Sequence, residues 1–294
     1  MLHNEFLDLK FYIMFFPIVF FYGICIGSFL NVVIFRLPKN ESLIKRASHC
    51  MTCGAKIKII DIIPIFSWVF ILHGRCRNCG EKISSRYPIV EALNGIVYVV
   101  TFAVMDFSLE TIMYCFFFSA LIAIAFMDWD TMEIDPRLLI FLACMAIPGM
   151  IISVLSEEQV MHLPEFMRTS SVSIWSHLIG LVCVSVPFFL IGEISKPIIE
   201  RIFGERFRAI ELGDTLLMAA GGLMLGWKAT LAATFFGIIV GALVGFIYKR
   251  VKGESKIPFG PFLAIGLFLG ALFGEQLIDW YVTLLTYDPT LDIQ

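Results

Sequence analysis

The sequence predicts an all-α polytopic membrane protein: about eight transmembrane helices, with a small four-Cys zinc-type cytosolic domain between helices one and two. Three observations lead there. First, the chain is 59% hydrophobic and 16% charged over 294 residues, with mean hydropathy +0.85. Soluble globular domains run nearer half apolar and a quarter charged. Second, the apolar residues fall into runs of the length a bilayer crossing needs, about 20 residues. Third, Lys and Arg collect in a few of the intervening loops, the signature of cytoplasmic loops.

The first run covers 11–35. It reads as a retained helix, because residues 1–10 carry Glu5 and Asp8 against Lys10 and so lack the basic start of a cleaved signal. Further runs lie at 89–106, 109–127, 138–155, 173–192, 213–227, 229–248 and 259–283. Inside hydrocarbon every backbone N–H and C=O needs a partner, which forces the helical reading. The 29 phenylalanines suit helix faces that meet acyl chains. No internal repeat or low-complexity tract interrupts the pattern.

Charge sets the expected orientation. Segment 36–88 holds ten basic residues, Arg36, Lys39, Lys45, Arg46, Lys56, Lys58, Arg75, Arg77, Lys82 and Arg86, against Glu41, Asp61 and Glu81. Segments 193–212 (Lys196, Arg201, Arg206, Arg208) and 249–258 (Lys249, Arg250, Lys252, Lys256) also hold four Lys or Arg each. Loop 156–172 carries Glu157, Glu158 and Glu165 against Arg168, and the tail has Asp288 and Asp292. Placing the basic segments in the cytoplasm puts both termini outside, with Lys228 in an external turn as the one small exception. Three parts follow: 1–35 as the first helix, 36–88 as a cytosolic loop domain, and 89–294 as a transmembrane domain. A net charge of −3 carries no nucleic-acid signature, and no such partner is expected.

Within the basic loop stand Cys50-Met-Thr-Cys53 and Cys76-Arg-Asn-Cys79, 22 residues apart. Each C-x-x-C aims two thiolates at one point, and two such knuckles supply the four sulfurs of a tetrahedral Zn²⁺ site. Gly54 and Gly80 follow where a turn with positive φ is needed. A disulfide pair or a redox C-x-x-C competes, but a cytosolic loop is reducing. Four cysteines leave no open coordination position, so the metal is expected to be structural. Cys25, Cys115, Cys144 and Cys183 lie in apolar runs and read as small buried side chains.

Acids at the edge of spanning helices usually carry function. One cluster, Asp128-Trp129-Asp130-Thr131-Met132-Glu133-Ile134-Asp135-Pro136, closes the third helix on the cytosolic side. Glu211-Leu212-Gly213-Asp214 opens the sixth on the same side. Topology thus brings Asp128 and Asp214 to one depth. A close carboxylate pair tends to share one proton, the state aspartyl proteolysis uses. Asp130 points about 200° from Asp128 around a helix and, like Glu133, is expected in solvent. Asp135, before a proline, belongs to a turn. Gly213 would allow a close backbone approach. The competing reading makes all these acids interfacial charges or helix caps.

Several segments in order resemble the bacterial type IV prepilin peptidases, the leader peptidase and N-methyltransferase family of GxGD-type aspartic peptidases. They are Gly27-Ser28-Phe29-Leu30-Asn31 through Arg36-Leu37-Pro38, the stretch Cys50 to Cys79 with Ile63-Pro64-Ile65-Phe66-Ser67-Trp68 and Gly74-Arg75-Cys76-Arg77, Ile83 through Glu91, and Lys256-Ile257-Pro258-Phe259-Gly260-Pro261-Phe262. Asp128 and Asp214 occupy the family's two catalytic positions. Four places depart from the family pattern: Glu211 for the first Gly of Gly-x-Gly-Asp, Leu216 where Lys is usual, Ile134-Asp135-Pro136 after the first Asp, and Asp61-Ile62-Ile63-Pro64 in the loop.

The resemblance implies an enzyme of the bacterial inner membrane that cuts the short basic leader from prepilins or pseudopilins of type IV pili or type II secretion, on the cytoplasmic side. It also implies methylation of the new N-terminus with S-adenosylmethionine, associated with the four-Cys loop. Arg75 and Glu91 are candidates there, though solvated charges are the simpler reading. Two alternatives stand beside it: a multi-span transporter whose acids and Gly-rich 219–245 helices form a proton path, and an inactive relative kept as an assembly partner. The transporter reading needs acids near the midplane, whereas these read as lying at the edge, and the glycines suit close helix packing.

Overall fold

The computed structural model describes residues 2–44, 48–155, 173–203, 210–253 and 257–286, with the side chains of 2–12, 155 and 203 outside the description. Of the charges counted above, Lys45, Arg46, Glu157, Glu158, Glu165, Arg168, Arg206, Arg208, Lys256, Asp288 and Asp292 lie outside these residues. The described chain is helical: α1 Leu2–Arg36, α2 Arg86–Met105, α3 Leu109–Thr131, α4 Pro136–Leu155, α5 Ile174–Cys183, α6 Ser185–Phe203, α7 Leu212–Leu225, α8 Trp227–Lys252 and α9 Gly260–Thr286. Between α1 and α2 lie a 3₁₀ turn, Ile59–Ile62, and a π turn, Ser67–Ile71.

Among the described residues, seven stretches are long and apolar enough to cross a membrane, against about eight that the sequence predicts. The difference is α7. Its 14 residues span only about 21 Å, short of a hydrocarbon core of about 30 Å. Gly226, at φ 82°, ends it, and α8 starts at the next residue. A second difference is at 173–192, where the span runs on to Ile202 and contains a break between α5 and α6. Pro187 explains the break: it has no N–H for the carbonyl of Cys183, and its ring crowds that carbonyl.

The chain forms two compact units, Met1–Met127 and Asp128–Gln294. In the first, α1 and α2 pack closely. A Cβ on Gly23 would lie 2.7 Å from Gly95 Cα, and one on Gly27 would lie 2.7 Å from Glu91 Cα. Close approach gives buried polar groups partners across the helices. Asn94 Nδ2 donates to the Gly23 carbonyl at 2.7 Å, and Ser119 Oγ donates to Asn94 Oδ1 at 2.8 Å. A buried polar network satisfied in this way holds one register against others.

In the second unit α8 lies along α9, where Gly270 and Gly274 face Ala229 and Ala233. Gly180 of α5 and Gly222 of α7 meet backbone to backbone. Small residues that let helices touch are what holds membrane bundles together. The Gly-rich 219–245 stretch therefore packs, as the sequence suggested. The lone cysteines differ from expectation: only Cys115 is buried, Cys25 and Cys183 are intermediate, and Cys144 is exposed. An apolar run in a membrane helix need not face the bundle, because lipid accepts the same side chains.

Candidate active site and metal centre

Local rules place the first carboxylate. Helix α3 carries Asp128 in its last turn, and Met132, at φ 57°, ends the helix with its N–H on the Asp128 carbonyl at 2.8 Å. The chain then turns through Ile134 and Asp135 into α4, which opens on Pro136, a residue suited to a first helical position. Asp135 Oδ1 accepts from Arg137 N at 2.8 Å, and the Arg137 guanidinium closes on the same carboxylate at 2.7 Å. Asp135 is thus the cap of α4. Asp130 is exposed, in line with the expected helical phase, and Glu133, beyond the end of α3, is exposed as well.

The C-terminal end of a helix disfavours a negative charge, so Asp128 needs a compensating donor. It is supplied by the start of α9: Gly260 N–H donates to Asp128 Oδ2 at 2.9 Å. Asp214 sits in the first turn of α7, where the helix dipole favours a carboxylate, and it accepts from Glu211 N–H at 3.3 Å. Both aspartates are buried, at 5% and 6% exposure. Each therefore lies against a helix N-terminus, the natural seat of an anion.

Ile134 joins the two halves. A Cβ on Gly260 would lie 2.6 Å from Asp128 Oδ2 and 3.3 Å from Ile134 Cδ1; a Cβ on Gly213 would lie 3.1 Å from Ile134 Cβ. One isoleucine thus fills the space left by the glycine beside each aspartate. The sequence reading left Gly213 open for a substrate, but its neighbour is Ile134 of the same chain. The charge of Asp128 acts on Asp214, and Glu211 acts electrostatically on both. Glu211 itself is exposed at the head of α7. Sequence reasoning missed Gly260 as a partner of Asp128; its only trace was the motif around it.

The four cysteines converge independently of that pair. The Sγ atoms of Cys50, Cys53, Cys76 and Cys79 all lie within 4.8 Å of one another, and those of Cys50 and Cys79 are 3.9 Å apart. Sulfurs on a tetrahedral Zn²⁺ at about 2.3 Å stand about 3.8 Å apart. The knuckles are built alike. Gly54 N–H returns to the Cys50 carbonyl and Gly80 N–H to the Cys76 carbonyl, both at 2.9 Å, and both glycines have positive φ (70° and 73°). Bridges His49–Lys56 and Arg75–Lys82 close the two turns.

The thiols are primed unequally. The N–H of Cys53, and then that of Thr52, pull Cys50 down to about 6. At Cys79 the Glu81 N–H pulls down, but desolvation and the neighbouring sulfurs outweigh it and push the thiol up to about 12. Four thiols so close do not ionise together without a cation. This donor set could hold a metal. Nearby, Arg77 grips Asp61 through paired bonds of 3.0 and 2.5 Å and holds its carboxyl below the usual range.

Two residues weighed for methyl transfer separate. Arg75 is exposed, with its guanidinium on the Gly80 carbonyl at 3.3 Å. Glu91 is 7% exposed and accepts the Ile65 N–H on Oε2 at 2.7 Å, so it is not a solvated charge. α2 begins at Arg86, five residues earlier, and its turn carries Glu91 inward against α1.

A helical, membrane-type chain with two buried aspartates at helix ends and a separate four-thiol module has the parts an intramembrane aspartyl peptidase needs. The comparisons narrow this class. Residues 21–105 match the bacterial peptidase A24 N-terminal domain, and residues 115–246 match the type IV leader peptidase family. The chain belongs to that family. It is similar to the prepilin leader peptidase/N-methyltransferase of Bacillus subtilis (strain 168), 29% identical over 90% of this chain and 97% of the relative. The protein of that name from Aeromonas salmonicida (strain A449) is 28% identical over 92% and 94%. With the Myxococcus xanthus protein of that name it shares 29% identity over 81% of this chain and 64% of the relative's length. No solved structure matches.

Proposed function

We infer that the chain is an intramembrane aspartyl endopeptidase that removes the short leader from type IV prepilins or pseudopilins and then N-methylates the exposed amino group. The observation that carries the reading is the buried Asp128–Asp214 pair, each member held by a backbone N–H at a helix start. One ionised carboxylate takes a proton from water while the protonated partner donates to the scissile carbonyl. Burial keeps the pair from bulk water, which strengthens the electrostatics of the step.

The functional parts are those expected above: a first helix at 1–35, a cytosolic zinc-binding, methyltransferase-associated loop at 36–88, and a peptidase region within 89–294. The basic loops set the carboxylates at the cytoplasmic face of a bacterial inner membrane with the termini outside. A basic leader approaching that face meets Glu211 and the exposed Asp130 and Glu133. The four sulfurs hold a structural Zn²⁺, and S-adenosylmethionine supplies the methyl group.

The test is a processing assay with prepilins from the same genome. Asp128→Asn and Asp214→Asn should each abolish leader removal while the protein still accumulates in the membrane. Normal processing by either variant overturns the assignment, and accumulation with no processing by the wild type favours an inactive relative.

A further inference from the structure

Between α1 and α2, residues 59–72 read Ile-Ile-Asp-Ile-Ile-Pro-Ile-Phe-Ser-Trp-Val-Phe-Ile-Leu, apolar except for Asp61 and Ser67. An apolar stretch of about 10–14 residues is too short to span a bilayer and belongs in a protein core or in the membrane interface. The structure excludes the core. Ile59, Ile60, Ile63, Phe66, Val69 and Phe70 are exposed, Ile59 at 89% and Phe70 at 64%. We propose that residues 59–72 lie in the headgroup interface of the bilayer, with this isoleucine and phenylalanine face turned into lipid. The inference does not rest on the proteolytic or the methyl-transfer reading.

Three features commit that face to lipid. The first is inverted polarity. Ser67 is buried, and its Oγ donates to the Asp61 carbonyl at 2.9 Å. The Asp61 carboxylate, 6% exposed, is turned onto Arg77. The stretch thus satisfies its polar groups internally and shows its apolar ones outward, as a segment in contact with lipid must. The second is depth. Helix α2 has 20 residues, about 30 Å, the thickness of the hydrocarbon core. Its first turns therefore stand at the boundary with the headgroups. The loop is tied to that level: Ile65 N–H donates at 2.7 Å to Glu91, the sixth residue of α2, and Trp68 Nε1 donates to the Ile83 carbonyl at 3.2 Å. Ile65 holds φ 58°, rare for a β-branched residue, so the tie overrides the local preference of the chain.

The third feature is charge. Lys56 and Lys58, both exposed, directly precede the apolar stretch. Basic residues beside a membrane-facing segment are drawn to anionic headgroups, and their long stems lie along apolar surface while the ammonium reaches the phosphates. The occupant is the bilayer that α1 and α2 already cross, so no partner has to be recruited. One consequence concerns the four-thiol module. Arg77 stands inside its second Cys knuckle, and the Asp61–Arg77 bonds of 3.0 and 2.5 Å join that knuckle to the apolar stretch. An interfacial segment at 59–72 therefore holds the module against the membrane surface.

The experiment uses the full, unsubstituted chain in nanodiscs of phosphatidylethanolamine and phosphatidylglycerol, with a trace of phospholipid carrying a diazirine high on its acyl chain. Illumination followed by peptide mass spectrometry locates the lipid adducts. Adducts within residues 59–72 are expected beside those on α1 and α2; labelled helices with a bare 59–72 overturn the proposal. Ile60→Glu combined with Phe66→Glu should lower the yield in that segment about fivefold or more, since interfacial binding scales with buried apolar area, at unchanged labelling of α2. An unchanged yield overturns the apolar face as the contact, and if this variant does not fold, the map of the unsubstituted chain decides. Replacing phosphatidylglycerol with phosphatidylcholine should lower the yield about twofold, and Lys56→Gln with Lys58→Gln should erase that dependence. A yield indifferent to phosphatidylglycerol overturns the part given to the lysines. A benzophenone amino acid in place of Phe66, with prepilin added, tests for a protein occupant. Capture of lipid is expected; capture of the prepilin, of a second copy or of residues 128–294 overturns the proposal.

Discussion

The backbone N–H of Gly260 donates to Asp128 Oδ2 at 2.9 Å across 132 positions of sequence. The contact leaves no room for a side chain, since a Cβ on Gly260 would stand 2.6 Å from that same oxygen. It also joins the end of α3 to the start of α9, so the orientation of the carboxylate depends on how the second unit packs.

Gly260→Ala should therefore displace the Asp128 carboxylate without unfolding the bundle. A shift near 1 Å at a reacting group costs about 10²-fold in rate. Leader removal should fall by that order while expression and melting temperature stay near the wild-type values. An alanine variant with full activity would show that Asp128 does not need this donor.

Gly213→Ala tests the wedge. Its Cβ would press on Ile134 Cβ at 3.1 Å, tighter than ordinary contact, and should lower activity moderately. Ile134→Ala in the same chain keeps that Cβ but removes the Cδ1 and Cγ1 contacts at 3.3 and 3.4 Å, and should restore part of the loss. Contacting residues couple by about 0.5–3 kcal/mol, so a double-mutant cycle on kcat/KM checks it. Strict additivity would remove Ile134 from the site.

The four-thiol module should bind one zinc per chain, lost on Cys50→Ser, as read by elemental analysis of the purified protein. Metal requires thiolates, so protons compete with it. Affinity should weaken as pH falls, Cys50 at about 6 being the first thiolate available. Affinity that rises toward acid would exclude thiolate ligation.

Helix packing gives a paired control. Gly222 meets the backbone of Gly180, and Gly222→Ala forces rigid main chain apart, an overpacking that costs about 1–3 kcal/mol. Among the described residues Gly245 has only Ile257 Cδ1 near, at 3.9 Å, and Gly245→Ala should be neutral or stabilising, by up to about 1 kcal/mol. Melting temperatures in detergent separate the two, and equal shifts would contradict the packing described.

The sequence by itself determined the fold class, the four-Cys module and the two aspartates of interest. Membrane helices announce themselves through the bilayer's demand for long apolar runs, and metal knuckles are encoded within a few consecutive residues, glycine included. The phase of Asp130 was also local, because a helix carries its own 100° step. Tertiary structure alone decided the rest. That α7 is too short to span depended on where Gly226 ends it and α8 restarts. Glu91 looked like a surface charge because nothing nearby in sequence reveals that α1 covers it. The partnership of Asp128 with Gly260, and the placing of Ile134 between two glycines, join residues distant along the chain. Such contacts follow from how helices settle against one another, and neither hydropathy nor spacing records that.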